Sequence, residues 1–298
     1  MAIESYEQLA LDRSQTALEQ GALHPLKTTV SYLPSVGTEP FELRELNSEL
    51  PRHLRKQGPK PNPFLPWDPR LEVCPIGQSH ALILNKYPVQ LGHMLLISKG
   101  WAAQSDWLGI NDWNAVGVVD DLTTGLWFFN SGPNAGASQP HRHIQLLPRS
   151  DKESRCPREG WFVNLINQNT TDSTERSPVK LATAVRRRDP SRSNQGEHIT
   201  TLYLDMANEL SLGTPASRQI PAAPYNILLT RHWMAMVRRH CDVSHGFSIN
   251  ALGFAGYLLA TSEAERSWLE EHGPEQLLAE VVDHSVVSRL PCQLRFYS

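Results

Sequence analysis

One stretch of 24 residues, GLWFFNSGPNAGASQPHRHIQLLP at 125–148, constrains the fold of this chain more than any other. Its apolar ends predict two strands, and the glycine, proline and small polar residues between them predict a loop that turns sharply and approaches a ligand closely. Side chains alternate between the two faces of a strand, so the final segment places His141, His143 and Gln145 on one face. Ile144 and Leu146 face the other way, toward a core. The sequence therefore predicts two imidazoles and an amide lined up beside a ligand-binding loop.

The composition of this loop indicates anion binding. Consecutive backbone N–H groups in such a loop form a concave anion site, and the side chains of Ser131, Ser138 and Gln139 add donors. A phosphate site beside paired imidazoles favours nucleophilic attack on phosphorus. Two other interpretations are a purely structural histidine pair and half of a metal site. The metal interpretation lacks a convincing third and fourth ligand, because Cys241 and His245 are distant in the sequence.

Composition and charge argue against several classes of protein. The formal net charge of -3 argues against a broad surface for nucleic acid, so any polyanion must be bound in a local pocket. The four cysteines are far apart and form no C-x-x-C pair, which argues against a disulfide framework and favours a reducing cytoplasm. The sequence shows neither a secretory leader nor an apolar run of roughly 18 residues, so we expect a cytoplasmic protein with no membrane contact.

Apolar periodicity predicts an α/β fold of the α+β type, with helices packed against an antiparallel sheet. The predicted strand pairs lie at 28–46, 80–99 and 225–239, and the predicted helices lie at 4–20, 111–122, 199–213 and 262–283. Asn111 or Asp112 is the expected N-cap of the second helix. The strand pair at 225–239 is similar to the pair at 80–99, which indicates a degenerate internal duplication.

Three segments are predicted along the chain, and we expect them to form one structural unit. Residues 1–150 carry the motif, and residues 199–298 complete the site. Between them, residues 151–198 are polar and weakly periodic, which predicts a variable excursion with some local helix. Within that excursion, the three arginines at 186–188 are expected on a solvated face.

Five blocks of the sequence, in order, resemble the diadenosine tetraphosphate phosphorylases, also called ATP adenylyltransferases. They are NPFLPWDPRLEV (62–73), LILNKYPVQLGHMLLISK (82–99), FFNSGPNAGASQPHRHIQLLP (128–148), YNILLTRHWMAMV (225–237) and SINALGFAGYLLA (248–260). This family is part of the histidine-triad (HIT) superfamily, in which hydrolases carry H-x-H-x-H and nucleotidyltransferases carry H-x-H-x-Q. The chain has the glutamine form. The resemblance implies a HIT-like antiparallel sheet with packed helices and the activity of a nucleotidyltransferase.

The resemblance also implies a two-step reaction on diadenosine tetraphosphate. His143 attacks the α-phosphorus to give a covalent AMP–histidine and release ATP, and inorganic phosphate then takes the AMP group to give ADP. His141 orients the ring of His143 or a phosphate oxygen. Gln145 donates hydrogen bonds but cannot titrate, which favours transfer to phosphate over hydrolysis. No tightly bound cofactor is implied, and a divalent cation such as magnesium is expected to accompany the substrate.

Further positions match residues that the family uses to bind its substrates. They are Lys56, Asn85, Lys86, Asn130, Gly136, Ala137, Ser138, Gln139, Asn250, Ala251, Leu252 and Arg239. Lys60 competes with Lys56 for the position of the upstream lysine. Tyr257 and Thr261 stand where some members have methionine and lysine, so contacts to the far nucleotide depart from the family pattern. The expected partners are the dinucleotide, ATP, ADP and phosphate, and the expected assembly is a monomer or a small homo-oligomer.

Three other functions are alternatives to a dinucleotide phosphorylase. A hexose-1-phosphate uridylyltransferase shares the histidine nucleophile and the glutamine, but that group usually has prolines between the histidines, where this chain has Arg142 and Ile144. A non-catalytic nucleotide sensor would keep the pocket, although such a protein is expected to lose His143 first. A dinucleoside hydrolase is disfavoured by Gln145.

Overall fold

The computed structural model describes residues 5–33, 40–47, 62–123, 125–148, 156–167, 177–260 and 264–283. The helices are α1 (Tyr6–Glu19), α2 (Ile110–Asp120), α3 (Glu159–Asn167), α4 (Pro178–Leu181), α5 (Gln195–Glu209), α6 (Ala251–Ala255), α7 (Arg266–His272) and α8 (Pro274–Glu280). The strands are β1 (Thr28–Leu33), β2 (Phe41–Leu46), β3 (Glu72–Ile76), β4 (His80–Leu84), β5 (Met94–Ser98), β6 (Gly125–Asn130), β7 (His143–Pro148), β8 (Thr183–Arg187), β9 (Tyr225–Leu229), β10 (Trp233–Arg238), β11 (Val243–Ser244), β12 (Phe247–Ser248) and β13 (Tyr257–Ala260).

An antiparallel sheet of eight strands forms the centre of the molecule, in the order β3-β4-β5-β7-β6-β9-β10-β8. One face packs against α1, α2 and α5, and the other face packs against α3, α6, α8 and the strands β2 and β13. Every residue of β4, β5, β9 and β10 is buried as a result. This coverage on both faces explains why these strands have continuous apolar runs instead of alternating patterns. The predicted α+β class with a large antiparallel sheet is confirmed.

A smaller sheet of three strands connects the two ends of the described chain. β1 and β2 form the predicted antiparallel hairpin, in which Thr28 lies opposite Leu46. β13 pairs with β2 in the parallel orientation, and Tyr257 lies beside Glu42. The C-terminal part of the chain is therefore bonded directly to the N-terminal part.

The main sheet contains two copies of one topological unit, which consists of a strand, a helix and a hairpin. In β5-α2-β6-β7 the hairpin returns so that β7 pairs with β5, and in β8-α5-β9-β10 it returns so that β10 pairs with β8. β6 and β9 pair with each other and join the two copies. The topology thus contains a duplication, but the prediction matched the hairpin β9-β10 with the wrong hairpin. The counterpart of β9-β10 is the hairpin β6-β7, because that hairpin also follows a helix and the hairpin β4-β5 does not.

Helix boundaries differ from the prediction at two places. α2 has Gly109 as its N-cap instead of Asn111 or Asp112, and Asp112 accepts a hydrogen bond from the Gly109 N–H (2.7 Å). The predicted C-terminal helix is divided into α7 and α8, because Gly273 has a positive φ of 81° and Pro274 begins a new helix. Of the helices in the described part of the chain, none is long and apolar enough to cross a bilayer.

The polar excursion contains more structure than predicted. Besides α3 and α4 it contributes β8, which pairs with β10 at the edge of the main sheet. An edge strand is exposed on one side, so its sequence lacks the apolar run of a central strand. Arg188 follows β8, is buried and pairs with Asp120 at 2.7 Å. The predicted solvated face at 186–188 is therefore wrong at Arg188.

Candidate active site

His143 begins strand β7 near the middle of the main sheet, and its side chain is buried (4% exposed). Its Nδ1 lies 2.8 Å from the carbonyl oxygen of His141. Because a carbonyl oxygen only accepts hydrogen bonds, the proton of the neutral ring is on Nδ1 and the lone pair is on Nε2. Burial lowers the pKa of His143 to about 4. The ring is therefore neutral near pH 7 and offers a nucleophilic nitrogen in a fixed orientation.

Gln104, a residue that the sequence analysis did not identify, holds the backbone around this histidine. Its side-chain oxygen accepts from the His143 N–H (2.8 Å), and its amide nitrogen donates to the carbonyls of His143 (3.1 Å) and Asn130 (2.8 Å). The side chain is only 2% exposed. One buried amide thus ties the start of β7 to the end of β6. No local pattern around Gln104 signals this role, because its partners lie far away in sequence.

The ring of His141 is fully buried and anchors the entrance to the strand. Its Nε2 donates to the carbonyl of Ser98 (2.8 Å), and its Nδ1 accepts from the amide nitrogen of Asn62 (2.8 Å). The Asn62 oxygen accepts from the Phe64 N–H (3.0 Å), which fixes the orientation of the amide. Burial also lowers the pKa of His141. Both ring nitrogens of His141 are therefore occupied, and its carbonyl oxygen orients the ring of His143.

Two aromatic side chains border the histidine pair. The ring centre of Phe64 lies 5.3 Å from that of His143 and 5.8 Å from that of His141. Trp101 meets the His141 ring edge-on, with ring centres 5.4 Å apart, and is 57% exposed. Neither aromatic residue was predicted to have a role. Phe64 could have been found from its place in the NPF block, whereas Trp101 has no such signal.

Gln145 lies on the same face of β7 and is bound to two residues of neighbouring strands. Its side-chain oxygen is 3.0 Å from Nε2 of His93, and Nδ1 of His93 is 3.1 Å from the amide nitrogen of Asn85. The Asn85 oxygen accepts from the Tyr87 N–H (3.1 Å). Burial lowers the pKa of His93 to about 4, so this ring is neutral as well. Asn85 was predicted to contact the nucleotide, and its amide is bound within this series of hydrogen bonds. His93 was not predicted to have a role in the site.

The loop after β6 and the turn before α6 lie against each other. Gly136 has a positive φ of 87°, and a Cβ atom there would lie 2.6 Å from the Cβ of Asn250, so the approach requires glycine. The Asn130 side-chain oxygen accepts from the amide of Asn226 (2.8 Å) and from the Ala251 N–H (2.9 Å). Asn130 is 1% exposed. Asn130 thus supports the loop from behind, and its contact with the substrate stays a prediction.

Arg239 is completely buried, and its guanidinium is surrounded by acceptors from the protein. It donates to the Asn226 side-chain oxygen and to the carbonyls of Val281 (3.1 Å), Cys241 (2.7 Å) and Ile249 (2.9 Å). Burial lowers the pKa of Arg239 to about 10. These bonds use the guanidinium to fix the segment before α6, and a contact between Arg239 and the substrate stays a prediction.

The predicted phosphate loop reaches the surface at its end. Ser138 is exposed, and Ala137 and Gln139 are partly buried beside it. The side-chain oxygen of Gln139 is buried and has no hydrogen-bond partner among the described residues. On the facing turn, Asn250 caps α6 by accepting from the Leu252 N–H (2.8 Å). The loop and the turn therefore meet at Gly136, and the loop is exposed at Ser138.

Two lysines were predicted to contact phosphate groups. Lys86 is exposed after the end of β4, and its Nζ lies 5.8 Å from the centre of the Tyr87 ring. Lys56 and the competing Lys60 lie outside the described residues. Within the ranges that the structure describes, no group of three or more histidine, cysteine or acidic side chains is arranged to hold a metal ion.

A neutral histidine followed by a non-titrating glutamine on the same strand is typical of the H-x-H-x-Q nucleotidyltransferases. The protein is an enzyme of this class. Comparison with family models identifies the family within this class. The family model for the Ap4A phosphorylase N-terminal domain matches residues 3–162, and the one for the ATP adenylyltransferase C-terminal domain matches residues 176–283. The chain belongs to the Ap4A phosphorylase family, Ap4A being diadenosine tetraphosphate.

Similar proteins are found in Saccharomyces cerevisiae. The chain is 24% identical over 296 residues to Protein APA1, a match that covers 88% of this chain and 89% of the yeast protein. It is 27% identical over 220 residues to diadenosine 5',5'''-P1,P4-tetraphosphate phosphorylase 2, covering 64% of this chain and 65% of that protein. The structure of yeast Ap4A phosphorylase Apa2 in complex with AMP has a TM-score of 0.74 at 23% identity, covering 95% of this chain and 98% of that chain. This last likeness establishes the fold.

Proposed function

We propose that this protein cleaves diadenosine tetraphosphate with inorganic phosphate to give ATP and ADP, and that it also catalyses the reverse reaction. The observation that carries the proposal is the buried, neutral ring of His143 with its lone pair on Nε2. The names of the relatives support the substrate. One is a P1,P4-tetraphosphate phosphorylase, and yeast Apa2 has been solved in complex with Ap4A and with AMP.

In the first step, Nε2 of His143 attacks the α-phosphorus beside one adenosine, the bond from that phosphorus to the bridging oxygen breaks, and ATP leaves. No proton has to be removed beforehand, because the neutral ring already has a lone pair on Nε2. The product is a covalent AMP–histidine whose ring is positively charged. Its Nδ1–H still donates to the carbonyl of His141, and this bond is stronger when the ring is charged. The carbonyl of His141 therefore stabilises the covalent intermediate more than it stabilises the free enzyme.

In the second step, an oxygen of inorganic phosphate attacks the same phosphorus, the P–N bond breaks, and ADP leaves with the neutral ring restored. Phosphate is anionic at neutral pH, whereas an attacking water has to lose a proton. Gln145 can donate hydrogen bonds to phosphoryl oxygens but cannot take up that proton. The glutamine therefore favours transfer to phosphate over hydrolysis.

Ser138 and Gln139, at the end of the loop, offer donors for the polyphosphate. We assign phosphate and ribose contacts to residues 136–139, to Lys86 and to the turn at 250–252. Loop amides of this kind bind anions without a formal charge. Lys56 remains a predicted phosphate contact. A divalent cation such as magnesium would arrive with the substrate and screen its charge.

Organisation and location follow from the same proposal. Residues 1–150 supply the nucleophile, residues 199–298 supply the facing turn, and residues 151–198 are the variable part. The enzyme acts in the cytoplasm, where its nucleotide substrates are found and where cysteine thiols remain reduced. We expect a monomer or a small homo-oligomer.

The proposal is tested by identifying the products. The protein is incubated with diadenosine tetraphosphate, with and without inorganic phosphate, and the nucleotides are separated. We expect ATP and ADP in the tube with phosphate and no net turnover in the tube without it. ATP and AMP without phosphate would make the enzyme a hydrolase. No reaction in either tube would favour the hexose-1-phosphate uridylyltransferase or the sensor.

A further inference from the structure

We propose that His93 is a positioning residue that keeps the amide nitrogen of Gln145, and not its oxygen, available to the substrate. This inference rests on the proposed function, since it concerns how Gln145 assists transfer to phosphate. It follows from the hydrogen-bond chain that crosses three adjacent strands, from Asn85 after β4, through His93 before β5, to Gln145 on β7.

The direction of this chain is set by a group that can only donate. The backbone N–H of Tyr87 donates to the oxygen of Asn85 (3.1 Å), so the amide nitrogen of Asn85 faces His93. That nitrogen donates to Nδ1 of His93 (3.1 Å), which must therefore be unprotonated. The proton of the neutral ring is on Nε2, and it is donated to the oxygen of Gln145 (3.0 Å). Each bond fixes the next, and the last one fixes the Gln145 amide.

The surroundings of His93 keep these hydrogen bonds in this direction. The side chain is 7% exposed, and burial lowers its pKa to about 4, so the ring stays neutral in the physiological range. Protonation would also point an Nδ1–H at the amide hydrogens of Asn85, which is repulsive. The Asn85 N–H donates to the carbonyl of His93 (2.9 Å), and the ring of Phe128 packs at 5.7 Å. The ring therefore has little freedom to turn.

The orientation of Gln145 matters because its two ends have opposite character. The oxygen and nitrogen ends occupy the same volume, so packing alone does not choose between them. With the oxygen held by His93, the amide nitrogen has no partner among the described residues and is free to donate to an anionic phosphoryl oxygen. A reversed amide would present lone pairs to the same anion and would repel it. His93 thus acts through Gln145 without needing to touch the substrate.

A double-mutant cycle separates this role from a general structural one. The turnover number kcat and the KM for diadenosine tetraphosphate are measured for His93→Phe, Gln145→Ala and the double variant. We expect His93→Phe to lower kcat about tenfold, less than the outright loss of a donor to developing charge, while KM changes little. In the Gln145→Ala background, His93→Phe should have no further effect on kcat, because the group through which it acts is gone.

A conservative variant and a control complete the experiment. His93→Gln, whose amide can donate to Gln145, should recover most of the lost kcat. His232→Phe makes the same substitution at an exposed histidine and should leave kcat unchanged. If His93→Phe does not fold, Asn85→Ala takes its place in the cycle, because it releases Nδ1 of His93 and frees the tautomer.

Multiplicative effects of the two substitutions, or no recovery by His93→Gln, would overturn the role of His93. Those outcomes differ from a failure of the proposed function. If the proposed function is wrong, the unmodified protein shows no phosphorolysis at all.

Discussion

At the scale of single residues, the reactivity of His143 depends on its surroundings more than on its identity. A free imidazole has a pKa of about 6.5 and exchanges its proton between two nitrogens. Here the carbonyl of His141 accepts the proton on Nδ1, and burial lowers the pKa to about 4. Protein contacts also occupy both nitrogens of the His141 ring. We therefore propose a chemical role for His143 and a structural role for His141.

The lowered pKa of His143 predicts an unusual activity profile in mild acid. A nucleophile with an ordinary histidine pKa would be half protonated near pH 6.5. His143 should remain neutral well below that pH, so kcat/KM for the dinucleotide should stay nearly constant from pH 7.5 to pH 5.5. Rates at each pH, measured after checking that the protein is folded, test this. A loss of activity with a midpoint near pH 6.5 would show that the ring is not desolvated as described.

The same histidines predict a loss of stability in acid. The folded-state pKa values of His93 and His143 lie below the unfolded value, so the unfolded chain binds more protons between pH 6.5 and pH 4. Stability should be full above pH 6.5 and fall as the pH drops toward 4, by about 1.4 kcal/mol per pH unit for each ring. Denaturant titrations at several pH values measure the slope. His143→Asn should reduce that slope, and an unchanged slope would count against the burial of the ring.

Gln104 should matter for both activity and stability. Gln104→Met keeps the size of the side chain but leaves the His143 N–H and two carbonyls without their partner. Each unsatisfied buried group costs about 1–3 kcal/mol, and a shifted nucleophile can lose about a hundredfold in rate. We expect a lower Tm and a lower kcat. Gln15→Met on the exposed side of α1 is the control, and equal behaviour of the two variants would contradict this role.

The residues of the site were predictable from sequence only where the pattern is local. Alternation along one strand placed His143 and Gln145 on a common face, and the structure agrees. Gln104 and His93 bind partners 39 and 52 positions away, and such contacts leave no trace in periodicity. The buried position of Arg239 was missed for the same reason, since its acceptors come from separate segments.

At the scale of elements, the helices α2 and α5 on one face of the sheet approach each other through glycine residues. A Cβ atom on Gly196 of α5 would lie 1.8 Å from the side-chain oxygen and 3.0 Å from the Cα of Asn114 on α2. A Cβ atom on Gly117 of α2 would lie 3.2 Å from the Cβ of Gln195. The close contact of the helices α2 and α5, one from each topological unit, therefore depends on glycine.

Gly196→Ala should separate these helices slightly and destabilise the protein. The added methyl group meets backbone as well as a movable side chain, and overpacking of this kind typically costs about 1–3 kcal/mol. A lower Tm with an unchanged KM for the dinucleotide is expected. Gly100→Ala, which has open space around the new Cβ, should have a much smaller effect. Equal stability of Gly196→Ala and the unmodified protein would mean that the helices are not closely packed.

Elements were predictable from sequence where burial produces a clear pattern. The central strands have continuous apolar runs, the helices α1, α2 and α5 are rich in apolar residues, and all of these elements were found. β8 was not found, because an edge strand that carries arginines resembles a polar loop. The break between α7 and α8 was missed although Gly273 and Pro274 are strong signals, because the apolar pattern continues across them.

At the scale of the whole molecule, one continuous sheet unites the segments that the two family models match separately. β6 from the first segment pairs with β9 from the second, and Asn130 lies opposite Asn226 at the end of that pairing. The side chains of the same two residues support the loop from one segment against the turn from the other. The histidine pair and the facing turn are therefore held in a fixed relation by the centre of the fold.

The central claim is that His143 carries the AMP group, and trapping that adduct tests it most directly. The protein is incubated with diadenosine tetraphosphate without inorganic phosphate, denatured in base because the P–N bond is labile in acid, digested and examined by mass spectrometry. We predict an AMP adduct on His143 that disappears when phosphate is added before denaturation and never forms in His143→Ala. An adduct on another residue, or turnover by His143→Ala, would contradict the account.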